Sequence, residues 1–562
     1  MSGTLPRPHS SLVPLTLSLL APLAVADGGS TQLASQSSQG VQGNAGSLRG
    51  VLSADGQRIA FLSSADNLVP GDTNNRSDVF VRDLSTGVTT RVSLGQGGVQ
   101  GNRDVFELHL SADGSTVAWT TASTNLVPGV TGNLRDVYVR DLNTGAVQRV
   151  SVSSAGAQAN FHSEDPWLSA DGSIVAFGSG ATNLVPADTN NAADVFVHDR
   201  STGTTTLVSR ALSGLPATGN SAEPSMNAAG TQVVFSSIAG DLVAGDTNQQ
   251  SDVFVRDLAN ATTTRLSVTP GGVQGDSGSR FPRITPDGAW VVFESDAGSF
   301  DPTDTNGVDD VFVSELATGA LERVSLSPSG QSSSGYCTQP SISADGRFLA
   351  FAVEADDLDP TDTNNRPDTY RKDRLTGALW RVSLGPGGQQ DNVGSGRNTI
   401  SADGLRVAFY TNSTSFLSPD LNGFDADVYV ATCPEPLSAD ATTLSSAGGL
   451  VNLELSPGGA FAGRDYALLG SLSGTTPGTP LPGSGASLPL ALDAFTNVLL
   501  QLANGPLLPG FLGSLDAEGR AQAAIAMPAL PPALVGVQLS LALLTANPFD
   551  FGSNAVAIDL VP

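Results

Sequence analysis

Lysine is almost absent from this 562-residue chain: Lys372 stands alone, and 27 basic residues face 54 acidic ones, for a formal charge of −27. Such a surplus repels phosphate backbones and anionic bilayers, which argues against nucleic acid and membrane surfaces as partners. Cations, cationic proteins and neutral glycans stay open, and the acidity also serves solubility. Cysteine is scarce as well, with only Cys337 and Cys433. They form no C-x-x-C pair and lie nearly a hundred residues apart, which makes a thiolate metal site a weak reading. Beyond the first 26 residues only His109, His162 and His198 remain, too few for an obvious histidine-rich site. No G-x-S-x-G occurs, which removes the nucleophile elbow of a fused hydrolase. Gly275-Asp276-Ser277-Gly278 resembles a serine-protease motif but falls at a recurring loop position, where other copies read GVQGN.

Long hydrophobic runs are missing too. The apolar stretch Leu12–Val25 is interrupted by Pro14 and Pro22 and is too short to span a bilayer. With Arg7 before it and Ala24-Val25-Ala26 after it, residues 1–26 read as an export signal, which places the mature protein outside the cytoplasm. VGVQLSLALL (535–544) is apolar, but Gln538, Ser540 and nearby prolines favour a strand over a membrane helix.

What the chain has in abundance is repetition. Ser53-Ala54-Asp55-Gly56 recurs at 111, 169, 227 (as Asn-Ala-Ala-Gly), 285 (as Thr-Pro-Asp-Gly), 343 and 401, always 58 residues on. Each copy places a short apolar segment before this tetrapeptide and a β-rich run such as IVAFGS (174–179) after it. A long loop, a DVFV-type strand, a Thr-Gly turn and a last strand ending like TTRVS complete the unit. Asp-Gly between two strand-like runs marks a tight hairpin, and four short strands in one unit make a propeller blade. DPWLSADGSIVAF (165–177) and ITPDGAWVVF (284–293) are similar to the TolB-like, WD40-like propeller repeat of exported bacterial proteins. The resemblance spans roughly residues 30–432 and implies a fold; function does not follow from it.

The ends of the repeat indicate how it closes. The last strand finishes at Ser93, Ser151, Ser209, Ser267, Ser325 and Ser383, and one interval before Ser93 lies Ser35. The seventh copy stops after DVYVAT (427–432) without its last strand. The sequence therefore predicts an all-β fold: a seven-bladed β-propeller over 27–432, its last blade completed by the N-terminal strand. After Cys433 the repeat ends and Leu, Ala, Gly and Pro dominate. LVNLEL (450–455), VQLSLALL (537–544) and VAIDLV (556–561) predict a small β-sandwich over 433–562. The blade phase sets Cys337 near a long-loop end and Cys433 near a short-turn end, an arrangement that disfavours a disulfide.

Two features carry possible chemistry. The recurring Arg82-Asp83, Arg140-Asp141, His198-Asp199 and Arg256-Asp257 read as blade-to-blade ion pairs, because a feature repeated in blade after blade lacks the asymmetry of an active site. The long loop holds D-x-N followed by a strand-starting Asp: Asp72/Asn74/Asp78, Asp188/Asn190/Asp194, Asp246/Asn248/Asp252, Asp304/Asn306/Asp310 and Asp362/Asn364/Asp368, with Asp420/Asn422/Asp427 displaced by one residue. Oxygen donors so spaced can begin a calcium shell, or can cap turns through their own backbone. The second copy, with Val130, Gly132 and only Asp136, keeps its length without the first two ligands. The leading expectation is a monomeric, non-enzymatic exported scaffold that binds a protein, glycan or envelope partner through its long-loop face. An extracellular carbohydrate-active enzyme of metal-dependent lyase type and a calcium-stabilised envelope protein are the alternatives.

Overall fold

In a computed structural model, the described residues are 30–433, apart from 328, 329, 360 and 376, together with separate segments between 437 and 561. The leader at 1–26 and the junction at 434–436 lie outside them. Among the described residues no helix is long and apolar enough to cross a membrane.

Residues 31–432 form seven antiparallel four-stranded sheets. In the first, Ser47–Leu52, Arg58–Ser63, Asp78–Asp83 and Thr89–Arg91 lie side by side in sequence order. Five more repeat that order. In the last, Ser395–Ile400, Arg406–Thr411 and Asp427–Thr432 are joined by Thr31–Leu33, which pairs Gln32 opposite Val430. The second and third strands of every sheet are buried on both faces, which is why they read as continuous Val, Ala and Phe runs. Aromatic pairs sit in register across them: Phe61 on Phe80, Phe177 on Phe196 and Phe235 on Phe254, each pair with ring centroids 5.8 Å apart.

The turns explain their residues. Ser53 Oγ donates to Asp55 at 2.6 Å, and the same carboxylate accepts the Gln57 N–H. Gly56 sits at φ +64°, and a side chain there would meet Arg406 from the neighbouring sheet. At the other short turn Asp83 caps Ser85 and Thr86, and these bonds pull its carboxyl down to about 2. The strand-starting aspartate is a clasp. In all seven sheets it accepts a hydrogen bond from the serine that ends the last strand, Asp78 from Ser93 through to Asp427 from Ser35. That serine in turn accepts the next backbone N–H, so one hydroxyl locks two strands.

Successive sheets are tied where the Ser-Ala-Asp-Gly turns meet. The Ala54 N–H donates to Ala112 O, Ala170 to Ala228 O, Ala228 to Pro286 O and Ala344 to Ala402 O. Ala402 N–H donates back to Ala54 O, linking the last sheet to the first. Every first strand contacts the first strand of the next sheet, all the way round. Sheets standing round a channel with their first strands innermost are β-propeller architecture.

Beyond Cys433, Leu437–Ala439, Gly449–Leu455 and Ala521–Met527 form one sheet. Thr443–Ser445, Asp465–Ser471, Leu512–Ser514, Gln538–Thr545 and Phe551–Val561 form another. One apolar cluster contains Phe409, Tyr429 and Cys433 together with Val451, Leu453 and Leu541. Cys337 and Cys433 are both buried and unpaired.

The Ser35–Asp427 clasp gives a direct test. Ser35→Ala leaves a buried carboxylate short of a donor, and we predict a loss of about 2 kcal/mol in urea unfolding. Deleting residues 30–36 should expose an unpaired strand edge and drive association, read by size-exclusion chromatography.

Candidate functional site

The loop carboxylates face inward onto protein donors. Arg91 sits 2.6 Å from Asp72 and 3.5 Å from Asp78, and Asn74 Nδ2 donates to Asp78 at 2.9 Å. Arg265 likewise serves Asp246 and Asp252, at 3.3 and 3.4 Å. Arg323 serves Asp304 and Asp310, and Arg381 serves Asp362 at 2.9 Å. Asn248, Asn306 and Asn364 donate through Nδ2 to carbonyls of the following loop. In the second sheet Arg149 and Gln158 hold Asp136. In the seventh, the Gln42 amide donates to Asp420, Asn422 and Asp427. The third sheet differs: Leu207 stands where the arginine would be and Pro216 where the glutamine would be, leaving Asp188 and Asp194 with Asn190 and Ser209.

Among the described residues the Arg-Asp dipeptide makes no ion pair between sheets. Arg82 donates to the carbonyls of Gln36 and Ser37 in the N-terminal segment, Arg140 to Leu94 O and Lys372 to Leu326 O. The neighbouring Asp caps its own turn. Successive strand side chains point to opposite faces, so the two members of the dipeptide cannot serve one interface. His198 takes the arginine's place and bonds Thr205 at 2.9 Å. His162 accepts the Arg135 N–H through Nδ1. His109 accepts the Leu168 N–H and packs on Trp167 with ring centroids 4.0 Å apart. Burial, then the nearby Arg283, lowers its pKa to about 3, which keeps it neutral and suited to accepting that bond.

The asymmetric chemistry lies elsewhere, in a cavity of about 570 Å³ along the channel. Each first strand carries a bulge close to its long-loop end, where two residues oppose one on the second strand. The bulge-level residues, in sheet order, are Arg49, Glu107, Asp165, Glu223, Phe281, Gln339 and Arg397. All but Glu107 hold φ between +45° and +58°. That left-handed conformation costs an ordinary residue about 1–2 kcal/mol. The exposed bulge N–H groups are taken by acceptors from the preceding sheet: Asp165 N donates to Glu107 at 2.6 Å, Phe281 N to Glu223 at 2.8 Å, and Arg397 N to Gln339.

Read round the ring, these side chains sort into arcs. Arg397 and Arg49 are adjacent across the closure; Glu107, Asp165 and Glu223 are consecutive; Phe281 and Gln339 form a neutral remainder. Arg283 lies 4.8 Å above the Trp167 ring and feels Glu223 and Asp165. Burial, then the neighbouring Asp165, raises Glu107 to about 7. Burial raises Glu294 to about 7, with the Gln339 N–H and Arg280 opposing. The sequence reading missed this ring because it turned on repeated motifs, and here the residue type changes at every copy. The available signal was a charged or polar residue just before Pro166, Pro224 or Pro340 inside an otherwise apolar strand.

No family model and no curated protein matches this chain. Among solved structures it is similar to a TolB-type protein of Agrobacterium tumefaciens, with 17% identity over 62% of this chain and 94% of that one, TM-score 0.35. It is also similar to Kuenenia stuttgartiensis hydrazine synthase (14%, over 68% of this chain and 95% of that one, TM-score 0.36). Porphyromonas gingivalis dipeptidyl peptidase 4 shares 12% over 72% of this chain and 57% of that one, TM-score 0.38. Likeness at this level speaks to neither ligand nor reaction.

The raised carboxyls fix a pH dependence. A carboxyl whose folded pKa exceeds its unfolded value binds its proton more tightly when folded, so its stabilising contribution is lost as pH rises through that range. Glu107 and Glu294 reach about 7, and Asp194 and Asp427 about 6, all chiefly through burial. The melting temperature should therefore fall between about pH 4 and 7, and Glu294→Gln should flatten that fall.

Proposed function

We propose that this protein is an exported, seven-bladed β-propeller with a small C-terminal β-sandwich, and that it binds a short zwitterionic ligand of amino-acid or peptide type in its channel. The supporting observation is the sorted ring. Arg49 and Arg397 form a cationic arc suited to a carboxylate, and Glu107, Asp165 and Glu223 form an anionic arc suited to an ammonium. Trp167 and Phe281 line the same cavity as apolar surface. Fixed dipolar walls of this kind select a ligand by matching charge at both ends. The ring lies near the long-loop end of the first strands, so the ligand enters from the long-loop face.

A second reading, an extracellular carbohydrate-active enzyme, draws support from Glu107 held near neutrality beside Asp165. Burial raises Asp165 as well, and a pair of adjoining carboxyls that shares a proton can divide general acid and base roles. Glu107→Gln separates the readings, because it should abolish turnover of a sugar substrate while leaving ligand uptake measurable.

Calorimetric titration with free amino acids, dipeptides, C-terminally amidated dipeptides and neutral disaccharides tests the proposal. The free dipeptides should bind, amidation should weaken binding, and Arg49→Ala or Arg397→Ala should cost roughly tenfold or more in affinity. Disaccharide binding without any dipeptide response tighter than about 1 mM would refute it.

A further inference from the structure

The third sheet breaks the repeat at two places that matter together. In the first, fourth and fifth sheets an arginine from the last strand lies between the loop aspartate and the strand-starting aspartate, and in the sixth Arg381 pairs with Asp362 and its charge is felt at Asp368. In the seventh, Gln42 bonds both carboxylates. In the third, the arginine position is Leu207, buried in the apolar core, and the glutamine position is Pro216, which has no side-chain donor. Asp188 and Asp194 thus keep the charge of their sisters without the internal cation that balances it.

The consequence is visible on Asp188. The residue is only 6% exposed, and its Oδ1 has no hydrogen-bond partner among the described residues. Asp194 Oδ1 is taken by Ser209 at 2.6 Å, and its Oδ2 accepts the Asn190 amide at 2.7 Å. Each of these oxygens keeps further acceptor capacity. The Asp188 charge is felt at Asp194, as is that of Asp241. A buried, uncompensated carboxylate is costly, and the four arginine-filled sheets show that a cation is the solution this fold uses.

We propose that the third sheet's loop binds one calcium-class divalent cation between Asp188 and Asp194. The donors are all hard oxygens, with no thiolate or imidazole, which favours calcium over a transition metal. Carboxylates bind such an ion singly or in pairs of oxygens, and water and backbone carbonyls complete its shell. Asp188 is too well covered to receive a guanidinium from a partner, so a bare ion suits the space. The first, fourth, fifth and sixth loops are closed to metal by their arginines. The second loop lacks the first two ligands and Gln42 fills the seventh, so the calcium array suggested by six similar loops reduces to a single site.

The test uses the full chain stripped with chelator, followed by calcium titration with stoichiometry read by calorimetry and melting temperature read in parallel. One calcium per chain should bind, and the melting temperature should rise with calcium, since a ligand bound only by the folded state stabilises it. Leu207→Arg, which restores the residue of the sister sheets, should abolish calcium binding and leave the melting temperature insensitive to chelator. Asp188→Asn should weaken binding at least tenfold. Arg381→Leu in the sixth sheet should open a second site if the arginine is what closes it. Absence of saturable calcium binding, or binding unchanged in both Leu207→Arg and Asp188→Asn, would overturn the proposal. Dipeptide binding in the channel is a separate readout, and its presence or absence leaves this result unaffected.

Discussion

The circumferential hydrogen bonds between turn alanines set the terms for everything else in the repeat region. Each link fixes the distance between neighbouring first strands, and the link from Ala402 back to Ala54 requires the sum of those steps to close. A single inserted residue in a turn would move one sheet out of line and open the ring. That constraint gives a physical reason for the unvarying 58-residue interval, even where the second copy discards Asp and Asn from its long loop. Pro286 has no N–H to donate, and Ala228 still reaches its carbonyl, so the ring tolerates one missing donor.

Within such a frame, symmetry and chemistry divide the residues between them. Positions that recur from sheet to sheet are occupied by closure: the Asp–Ser clasp in all seven, and the cation–carbonyl ties and Asp-capped turns in most. Their donors and acceptors are largely spent on one another, so a ligand finds an opening only where a partner is missing, as beside Asp194. Chemistry survives where the copies disagree. The bulge position changes from Arg to Glu to Asp to Phe to Gln, and the last-strand arginine becomes leucine twice, at Leu207 and at Leu33, where Gln42 takes over its contacts. Neither variation disturbs the interval, because neither touches the ring of turns.

The same division explains what could be read from the sequence. The strands, the tight turns and the pairing of Thr31–Leu33 with Asp427–Thr432 were legible because each rests on local chemistry or on phase, as with Ser35 lying one interval before Ser93. The Arg82-Asp83 dipeptide was misread as an ion-pairing unit because adjacency in sequence hides the alternation of strand faces. The channel ring was illegible for a different reason. A bulge shifts two residues against one, so a simple inside–outside alternation assigns Arg49, Asp165 and Glu223 wrongly. Its members also lie 58 residues apart and become neighbours only when the ring closes. The D-x-N loops were legible as oxygen clusters, but whether a cation already filled them depended on Arg91 or Leu207, nearly twenty residues further on.

Six left-handed, non-glycine residues at one level of the channel are an unusual concentration of backbone strain. At about 1–2 kcal/mol each, the strain totals roughly as much as the whole stability of a small domain. Glycine would relieve it, yet glycine stands only beside a bulge position, at Gly50 and Gly396, and never on one. Packing does not require the strain either, since the aromatic pairs of the second and third strands lie behind the bulge and carry the core. What the conformation does achieve is to turn each bulge side chain toward the channel and to aim each bulge N–H at the preceding sheet's acceptor. The charged arcs are held by this backbone geometry and by the hydrogen bonds from Asp165 to Glu107 and from Phe281 to Glu223. A wall built at that cost, with different charges on its two sides, is organised before any ligand arrives, and preorganisation of this kind is what lets a polar site compete with water.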